Sequence, residues 1–551
     1  MAKIYQTPGV YLEEKNTFPN SVVAVATAVP AFVGYTEKAE RGRQSLLLEP
    51  TRIVSYAEFH QWFGGAAPTK FTVGDAEEPK APYRLTIAES YFTLHQQMKL
   101  FFANGGTNCY VVSVGGYLNL DGTPNAIDLD VLKTGIAPLE QVLEPTLLVI
   151  PEAAHAPVAP ATLDDDIQRI GSLYQAMLQH CGGKMQSRFA IIDVWMNPDT
   201  FTREDYDLAA DVTRFRDGIG NNHRQWGAAY YPWLQTTALD LADVGPKNIA
   251  NLGTISDLQP FPEGAFNDAG ELVDMAQFKA DFVDREVTSL LVLLDVAMNQ
   301  AVLNGETEPA SATTLKNTLL TDLAKADLAD AAALRTIHQG LLAGSPVYKA
   351  VFQDLRGRLN LLPPSAALAG VYSRVDQEMG VFQSPANVGL ALVITPALTI
   401  SSDQQEDLNL PLNGKAVNAI RIFPGRGTIV WGARTLAGNS QDWRYINVRR
   451  TVIFLEQSIK AATAAYVFEP NTASTWSTVE AIITNFLTNE WRAGALAGAT
   501  PEDAFSVDVG LGSTMTPADI QDGFLRITVK VAITRPAEFI ILTFTQQMQS
   551  S

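Results

Sequence analysis

Residues 408–473 read LNLPLNGKAVNAIRIFPGRGTIVWGARTLAGNSQDWRYINVRRTVIFLEQSIKAATAAYVFEPNTA, and they carry the strongest pattern in the chain. In their second half, apolar side chains recur at every third or fourth position, which places them on one face of an α-helix. This apolar row consists of Tyr445, Val448, Val452, Leu455, Ile459, Ala462 and Tyr466. Arg449, Glu456 and Lys460 lie off the row. The spacing predicts one long helix over 445–466 that packs on one side.

The sequence that follows predicts a second helix. It is expected to begin near Ser477, whose hydroxyl group with Glu480 fits a capping box. Its buried positions are predicted to be Val479, Ile482, Ile483, Phe486 and Leu487.

Both ends of the chain contain short apolar strands that need a partner sheet. Val10, Tyr11 and Leu12 form an extended run near the N-terminus, and a strand of about three residues is not stable alone. Near the C-terminus, Ile527, Val529, Val531 and Ile533 alternate with polar residues, as in a half-buried strand. After Pro536, residues 539–544, which include Phe539 and Ile541, are apolar on both faces.

Upstream, apolar strands alternate with helical stretches, so the fold class is predicted as α/β (α+β) with several domains. One helical face is expected over 82–102, a helix over 165–179, and strands at 146–150, 189–194 and 227–231. Residues 22–35 are predicted to form a strand pair around Pro30, and residues 401–407 to act as a break between domains. Four domains are expected. The first two are an N-terminal exchange arm at 1–20 and an α/β middle domain at 21–235 with 363–394. The others are a helix-rich, outward-facing insertion at 236–362 and a mixed-sheet C-terminal core domain at 395–551, which contains an exchange strand at about 524–546.

Composition limits the class of partner. With 46% hydrophobic and 18% charged residues, the chain is expected to fold rather than to be disordered. Its net charge of −19 opposes nucleic acid and anionic lipid, and no Lys/Arg cluster compensates for it, so a basic protein partner is the simpler inference. The two cysteines, Cys109 and Cys181, are predicted to be reduced and buried. Neither a signal peptide nor an apolar run of about 18 to 20 residues occurs, which predicts folding in a cytoplasm.

Motifs for catalysis are weak. The glycine-lysine pairs lack the pattern of a phosphate-binding loop, and the six histidines do not occur at metal-ligand spacing. Asp193 follows a predicted strand where α/β enzymes often place a catalytic carboxylate, but it has no evident partner base. The sequence therefore favours a structural protein without catalytic residues, metal or cofactor. An α/β enzyme with an unfamiliar site is the alternative.

Several segments resemble the sheath proteins of contractile phage tails and phage-derived injection systems. The resemblance rests on PGVYLEE at 8–14, FFANGGTNCYVVSV at 101–114, AAYYPWL at 228–234, PPSAALAGVYSRVDQEMGVFQSPAN at 363–387, residues 408–473, and WRAGALAG at 491–498. These segments occur in the family's order, and the general likeness favours an injection system. Residues 236–362 contain no segment that contributes to this resemblance.

The resemblance implies a subunit that polymerises as stacked hexameric rings around an inner tube and contracts to drive the tube through a target envelope. Its implied partners are other sheath subunits, which can be paralogous, the tube protein, the baseplate and a terminal cap protein, with no nucleic acid and no membrane insertion. Assembly in a bacterial cytoplasm into a phage tail or a released tail-like particle is expected. Another self-assembling tail component is a second alternative. The family also implies strand exchange between subunits through Val10, Tyr11, Leu12, Ile527, Val529, Val531, Ile533, Phe539 and Ile541. Arg444, Arg449 and Arg450 are either tube-facing groups or members of ion pairs within the domain.

Overall fold

The computed structural model describes residues 22–74, 84–88, 91–119, 121–196, 207–250 and 346–541, together with 265–266, 272–273, 335, 338–339 and 342. Its strands are β1 Pro30–Thr36, β2 Glu40–Arg41, β3 Gln44–Ser45, β4 Thr51–Ile53, β5 Phe71–Gly74, β6 Arg84–Ile87, β7 Cys109–Gly116, β8 Leu147–Val149, β9 Phe189–Asp193, β10 Gly227–Tyr231, β11 Leu234–Thr236, β12 Ala265–Phe266, β13 Leu272–Val273, β14 Leu361–Leu362, β15 Val388–Gly389, β16 Val393–Pro396, β17 Val417–Phe423, β18 Gly427–Val430, β19 Phe505–Val509 and β20 Ile527–Val531.

The α-helices in the described ranges fall between and after these strands. They are α1 Tyr56–Phe63, α2 Leu94–Ala103, α3 Leu129–Thr134, α4 Leu163–Gln179, α5 Leu208–Gly218, α6 Pro346–Leu359, α7 Ser365–Met379, α8 Ser402–Asn409, α9 Ile446–Thr463, α10 Ala473–Ala493, α11 Pro501–Ala504 and α12 Pro517–Gln521.

The chain divides into two compact units, each defined by the contacts among its own residues. The smaller unit comprises described residues 22–27, 379–383 and 447–541, and the larger unit comprises the described parts of 28–378 and 384–446. The predicted domain ranges group the chain differently, because they place residues 395–446 with the C-terminal domain. Those ranges remain a prediction about independently folding segments.

A nine-stranded mixed sheet forms the centre of the larger unit, and it confirms the predicted α/β class. The strand order is β15-β18-β17-β10-β9-β8-β1-β7-β4. Strands β7, β1, β8, β9, β10 and β17 run parallel, whereas β4, β18 and β15 are antiparallel to their neighbours. Every residue of β1 is buried, as expected for a strand with parallel neighbours on both sides and helices on its faces.

Helix α4 confirms the predicted helix over 165–179 and has three aspartates, residues 164–166, in its first turn. Helix α1 stops at Gly64, whose φ of 85° is accessible to glycine. Cys109 and Cys181 are buried free thiols, as predicted. The strands at β8, β9 and β10 also fall within the predicted ranges.

The structure corrects several predictions. The single helical face over 82–102 is wrong, because Arg84–Ile87 pairs with Phe71–Gly74 as a hairpin and only Leu94–Ala103 is helical. Residues 22–29 form no strand, so only the second half of the predicted pair exists. Residues 401–407 are not a break, since Ser401 and Gln404 form a capping box that starts α8 and Leu408 is buried.

Another correction concerns the start of α10. This helix begins at Ala473 after Thr472, so Ser477 lies inside it and makes no capping box. The five predicted buried residues of α10 are nevertheless all buried.

Much of the predicted insertion at 236–362 lies outside the described residues, including most of its expected helices. Helix α6, at its C-terminal end, contributes Val351, Phe352, Leu355 and Leu359 to the core of the larger unit. This stretch therefore belongs to the central packing of that unit.

Candidate strand-exchange site

A two-stranded antiparallel sheet in the smaller unit contains three of the six predicted exchange residues that the structure describes. Strands β19 and β20 pair in register from Phe505 opposite Val531 to Val509 opposite Ile527. Within the part of the chain that the structure describes, neither strand has a second strand beside it. Each strand therefore presents one outer edge of backbone N–H and C=O groups, which is the geometry that accepts an added strand.

One face of this sheet is covered by helices α9 and α10. The core beneath it contains Phe454 and Phe486, whose ring centroids lie 5.9 Å apart, and Ile483, which is fully buried. Val507 and Val529 pack against this core from the sheet. Helix packing on one face gives the two strands the support that an isolated hairpin lacks.

Three of the predicted exchange residues belong to the chain's own sheet, and a fourth follows it directly. Ile527, Val529 and Val531 are half-buried residues of β20 on the side that faces the core, and they alternate with exposed Thr528 and Lys530. Ile533 follows β20 and forms a bridge with Leu496. The period-two pattern is thus confirmed, and these residues lie in the sheet that could receive a strand.

The other predicted exchange residues lie at the chain ends. Phe539 is 66% exposed and Ile541 is 88% exposed, and no strand includes them. Both follow Pro536 in a segment that leaves the sheet after Thr534. Val10, Tyr11 and Leu12 lie outside the described residues. Their role in strand exchange remains a prediction.

Helix α9 anchors both chain ends through buried polar side chains. The Asn447 side-chain amide donates to the Thr534 carbonyl at 3.2 Å, where the C-terminal segment leaves the sheet, and to the Phe382 carbonyl at 2.8 Å. Arg450 Nη2 donates to the Thr27 carbonyl at 3.0 Å, and Ser458 Oγ accepts from the Val25 amide at 3.2 Å. The helix therefore fixes the points from which both terminal segments extend.

Sequence reasoning did not assign this anchoring role to Asn447, Arg450 and Ser458. They are almost fully buried although they are polar. Their positions beside the predicted apolar row of α9 are the only signal that the sequence offers.

The arginines that the sequence left unassigned have partners within their own unit. Arg449 pairs with Glu456 at 3.2 Å, and burial lowers the pKa of the guanidinium while the glutamate opposes that shift. Arg444 donates to the Ser440 carbonyl at 2.9 Å. For Arg449, the structure supports the ion pair within the domain.

The loop that leads into β20 is held by a carboxylate. Asp519 accepts from the Thr516 amide at 2.9 Å and from Arg526 Nε at 2.9 Å. Hydrogen bonds from Thr516, followed by the bond from Arg526, lower the pKa of Asp519 to about 2. On the exposed face of the sheet, Lys530 lies 3.7 Å from Asp508 across the two strands.

Two buried carboxylates of the larger unit, Asp193 and Glu152, accept hydrogen bonds from backbone amides. Asp193 accepts from the Ser365 amide at 2.8 Å at the start of α7. Glu152 accepts from the amides of Tyr35, Thr93 and Leu94 at 2.7, 2.9 and 3.1 Å. Burial raises the pKa of each carboxyl group to about 7. Both groups thus join helix starts to neighbouring elements, which explains Asp193 without catalysis.

Among the described residues, no group of three or more His, Cys, Asp or Glu side chains is arranged to hold a metal ion. No described helix combines the length and the apolar character needed to span a bilayer.

The C-terminal region of the chain is similar to a known protein family. Residues 439–547 match the family described as phage tail sheath C-terminal domain. This match includes both strands of the two-stranded sheet and the helices that cover it. The resemblance to contractile sheath proteins that the sequence predicted is confirmed. No curated protein sequence matches the chain.

Solved structures are similar over nearly the whole chain. The anti-feeding prophage (AFP) helical sheath in the contracted state is 26% identical, with a TM-score of 0.55 over 99% of this chain and 100% of the other. The sheath complex of PVC, an extracellular contractile injection system, in the contracted state is 24% identical, with a TM-score of 0.54 over 99% of each chain. A chain of the 6-fold symmetrised AFP baseplate is 26% identical, with a TM-score of 0.54 over 99% of this chain and 100% of the other.

Proposed function

We propose that this chain is the sheath subunit of a contractile injection system and has a structural role. Copies polymerise as stacked six-membered rings around an inner tube, and the assembly shortens to drive the tube through a target envelope. The observation that carries the proposal is the similarity of the whole chain to the AFP helical sheath. The family match at residues 439–547 supports it independently.

Strand exchange is the proposed link between subunits. Residues 10–12 of one copy and the segment with Phe539 and Ile541 of another add to the outer edges of β19 and β20. Main-chain hydrogen bonds then hold neighbours together while the globular parts can turn against each other. The anchors on α9 support this scheme, because they fix where each terminal segment leaves its own subunit.

Assembly energy drives contraction in this proposal. Contacts between subunits in the contracted state are stronger than those in the extended state, so the extended sheath is metastable. The sheath chain then needs no nucleotide. The baseplate releases the stored energy, a terminal cap holds the far end, and the particle is assembled in a bacterial cytoplasm.

Electron microscopy of the purified full-length chain tests the function. Hollow, helically ribbed cylinders are the expected result. A matched variant that ends at Pro536 lacks the exposed residues Phe539 and Ile541, so it should remain folded and form no long cylinders. A strictly monomeric full-length protein at high concentration would contradict the proposed function.

A further inference from the structure

A rigid loop in the larger unit holds one leucine fully in solvent. Leu412 is 104% exposed, although Pro411 before it and Gly414 after it are buried. The Gly414 amide donates to the Pro411 carbonyl at 3.0 Å, and Asn439 Nδ2 donates to the same carbonyl at 3.0 Å. The Gly438 amide donates to the Gly414 carbonyl at 2.9 Å. The loop therefore presents an apolar side chain in a fixed position, which reduces the entropy lost when that side chain is buried in a contact.

An equally rigid groove lies elsewhere on the same unit. It has a volume of about 770 Å³ and is lined by Leu48, Glu49, Pro50, Ala137, Pro138 and Val142, among others. Leu48 has a φ of 56°, in the left-handed region that costs a bulky residue energy, and its amide donates to the Ser113 carbonyl at 2.9 Å.

A buried arginine fixes the other wall of the groove. Arg188 Nη2 donates to the Leu139 carbonyl at 2.8 Å and to the Val142 carbonyl, and Arg188 Nε donates to the Pro145 carbonyl at 3.0 Å. Both walls are thus set by hydrogen bonds within the unit. The groove exists before anything occupies it.

The loop and the groove are too far apart to meet within one chain. Leu412 lies just before β17, and Leu48 lies just before β4. Six strand steps separate β17 from β4 in the nine-stranded sheet, which is roughly 29 Å at about 4.8 Å per step. Since both features are rigid parts of one unit, Leu412 cannot reach the groove of its own chain and could fill only the groove of another copy.

Charge also favours a second copy as the occupant. Glu49 lines the groove, whereas Arg224 flanks the Leu412 loop, where its Nη1 donates to the Asn413 carbonyl at 3.2 Å. A head-to-tail contact would bring these opposite charges together. Such a contact between unlike surfaces repeats from copy to copy and produces rings or helices.

We propose that Leu412 of one copy inserts into the Leu48–Pro138 groove of the next copy. This contact is distinct from strand exchange, although it rests on the proposed function because it requires repeated assembly of the chain. It would fix the angle between neighbours through the larger unit, while the exchanged strands join the smaller units.

Cysteine cross-linking tests the contact in assembled cylinders. The double variant Leu412→Cys with Ala137→Cys places one thiol on the loop and one in the groove, and the native Cys109 and Cys181 are buried. Oxidation should produce a ladder of disulfide-linked oligomers on a non-reducing gel. The control pairs Leu412→Cys with Leu118→Cys, an exposed position that does not line the groove, and should produce no ladder.

A second variant measures the contribution of the leucine. Leu412→Asp leaves the fold intact because the side chain is fully exposed, but it should raise the critical concentration for assembly by roughly tenfold to a hundredfold. Leu118→Asp should leave that concentration unchanged. Cylinders that give no ladder and an unchanged critical concentration for Leu412→Asp would overturn the contact and leave the proposed function standing. Failure of the wild-type chain to form cylinders would instead contradict the function itself.

Discussion

The sheets of the two units differ in how much of their backbone bonding is completed within the chain. In the nine-stranded sheet of the larger unit, most strands have neighbours on both sides, and the outermost strands β4 and β15 have only three and two residues. In the smaller unit, β19 and β20 have five residues each, and each is an edge strand within the described part of the chain. Short edge strands resist pairing with other chains, whereas longer edges invite it. The difference favours the sheet of the smaller unit over that of the larger unit as the place for the proposed strand addition.

Removal of the N-terminal arm should have the largest effect on assembly through the smaller unit. Deletion of residues 1–15 removes Val10, Tyr11 and Leu12, so one outer edge loses its proposed strand. We expect complete loss of long cylinders, measured by electron microscopy, with an unchanged thermal transition of the monomer.

Conservative replacement of the arm provides the control. A triple variant with Val10→Ile, Tyr11→Phe and Leu12→Ile keeps the main-chain donors and acceptors and should still assemble. Cylinders of normal length from the deletion variant would show that the arm does not link subunits.

A substitution at Glu152 tests how much the stability of the larger unit depends on its buried hydrogen bonds. Glu152→Ala leaves the amides of Tyr35, Thr93 and Leu94 buried without this acceptor, which should cost about 3 kcal/mol or more of unfolding free energy. Chemical denaturation of the monomer measures the loss. Glu152→Gln retains one acceptor oxygen and should lose less. Equal stability of wild type and Glu152→Ala would refute the role given to this carboxylate.

Stability of the larger unit should also depend on pH. Burial raises the pKa of Glu152 and Asp193 to about 7 in the folded state, so the folded protein holds these protons more tightly than the unfolded chain does. The contribution of both groups to stability is therefore greatest at low pH and falls as the pH rises from about 4 to about 7. Buried histidines such as His155, whose pKa burial lowers to about 3, oppose this trend, so the test compares two proteins. In urea unfolding at several pH values, the stability of the wild type relative to the double variant Glu152→Gln with Asp193→Asn should decline over this range. A difference that stays constant with pH would contradict the assignment.

The smallest effect is expected on the exposed face of the smaller sheet. Lys530 and Asp508 lie 3.7 Å apart, but both side chains are largely in solvent, so their pairing should contribute less than about 1 kcal/mol. Lys530→Ala should therefore leave the urea midpoint of the monomer almost unchanged. A large destabilisation would mean that side-chain pairing, rather than packing on α9 and α10, supports this sheet.

Local patterns in the sequence predicted the features that depend on period and burial. The five buried residues of α10 and the alternation in β20 both follow from one side of an element facing a core. The predicted one-sided packing of α9 is wrong for its first half, because residues 446–451 and 453–455 are all buried, whereas Val452, Ile459 and Tyr466 of the apolar row are only partly buried. The error over 82–102 has the opposite cause, because the apolar spacing continues from strand β6 into helix α2 and imitates one helix. The predicted break at residues 401–407 is wrong because a polar helix without a wide apolar face has the same sequence pattern as a loop.

Contacts between distant parts of the chain could not be predicted from local pattern. Val25 and Ser458 are 433 positions apart, and the Asn447 bond to Thr534 spans 87 positions. Nothing in the period of a helix indicates which of its polar residues will meet a distant backbone carbonyl. The Leu412 loop and its proposed groove are also far apart in the sequence, so neither could be recognised before the folded structure was known.

Backbone hydrogen exchange of β19 and β20 tests the central claim most directly, because it measures whether their outer edges gain partners on assembly. The outward-facing amides of both strands, which do not bond across the β19–β20 pair, should exchange at least about a hundredfold more slowly in cylinders than in the monomer, since added strands satisfy them. Amides of β1, already bonded on both sides, should serve as the internal reference. Equal exchange rates for β19 and β20 in monomer and cylinder would contradict strand exchange as the link between subunits.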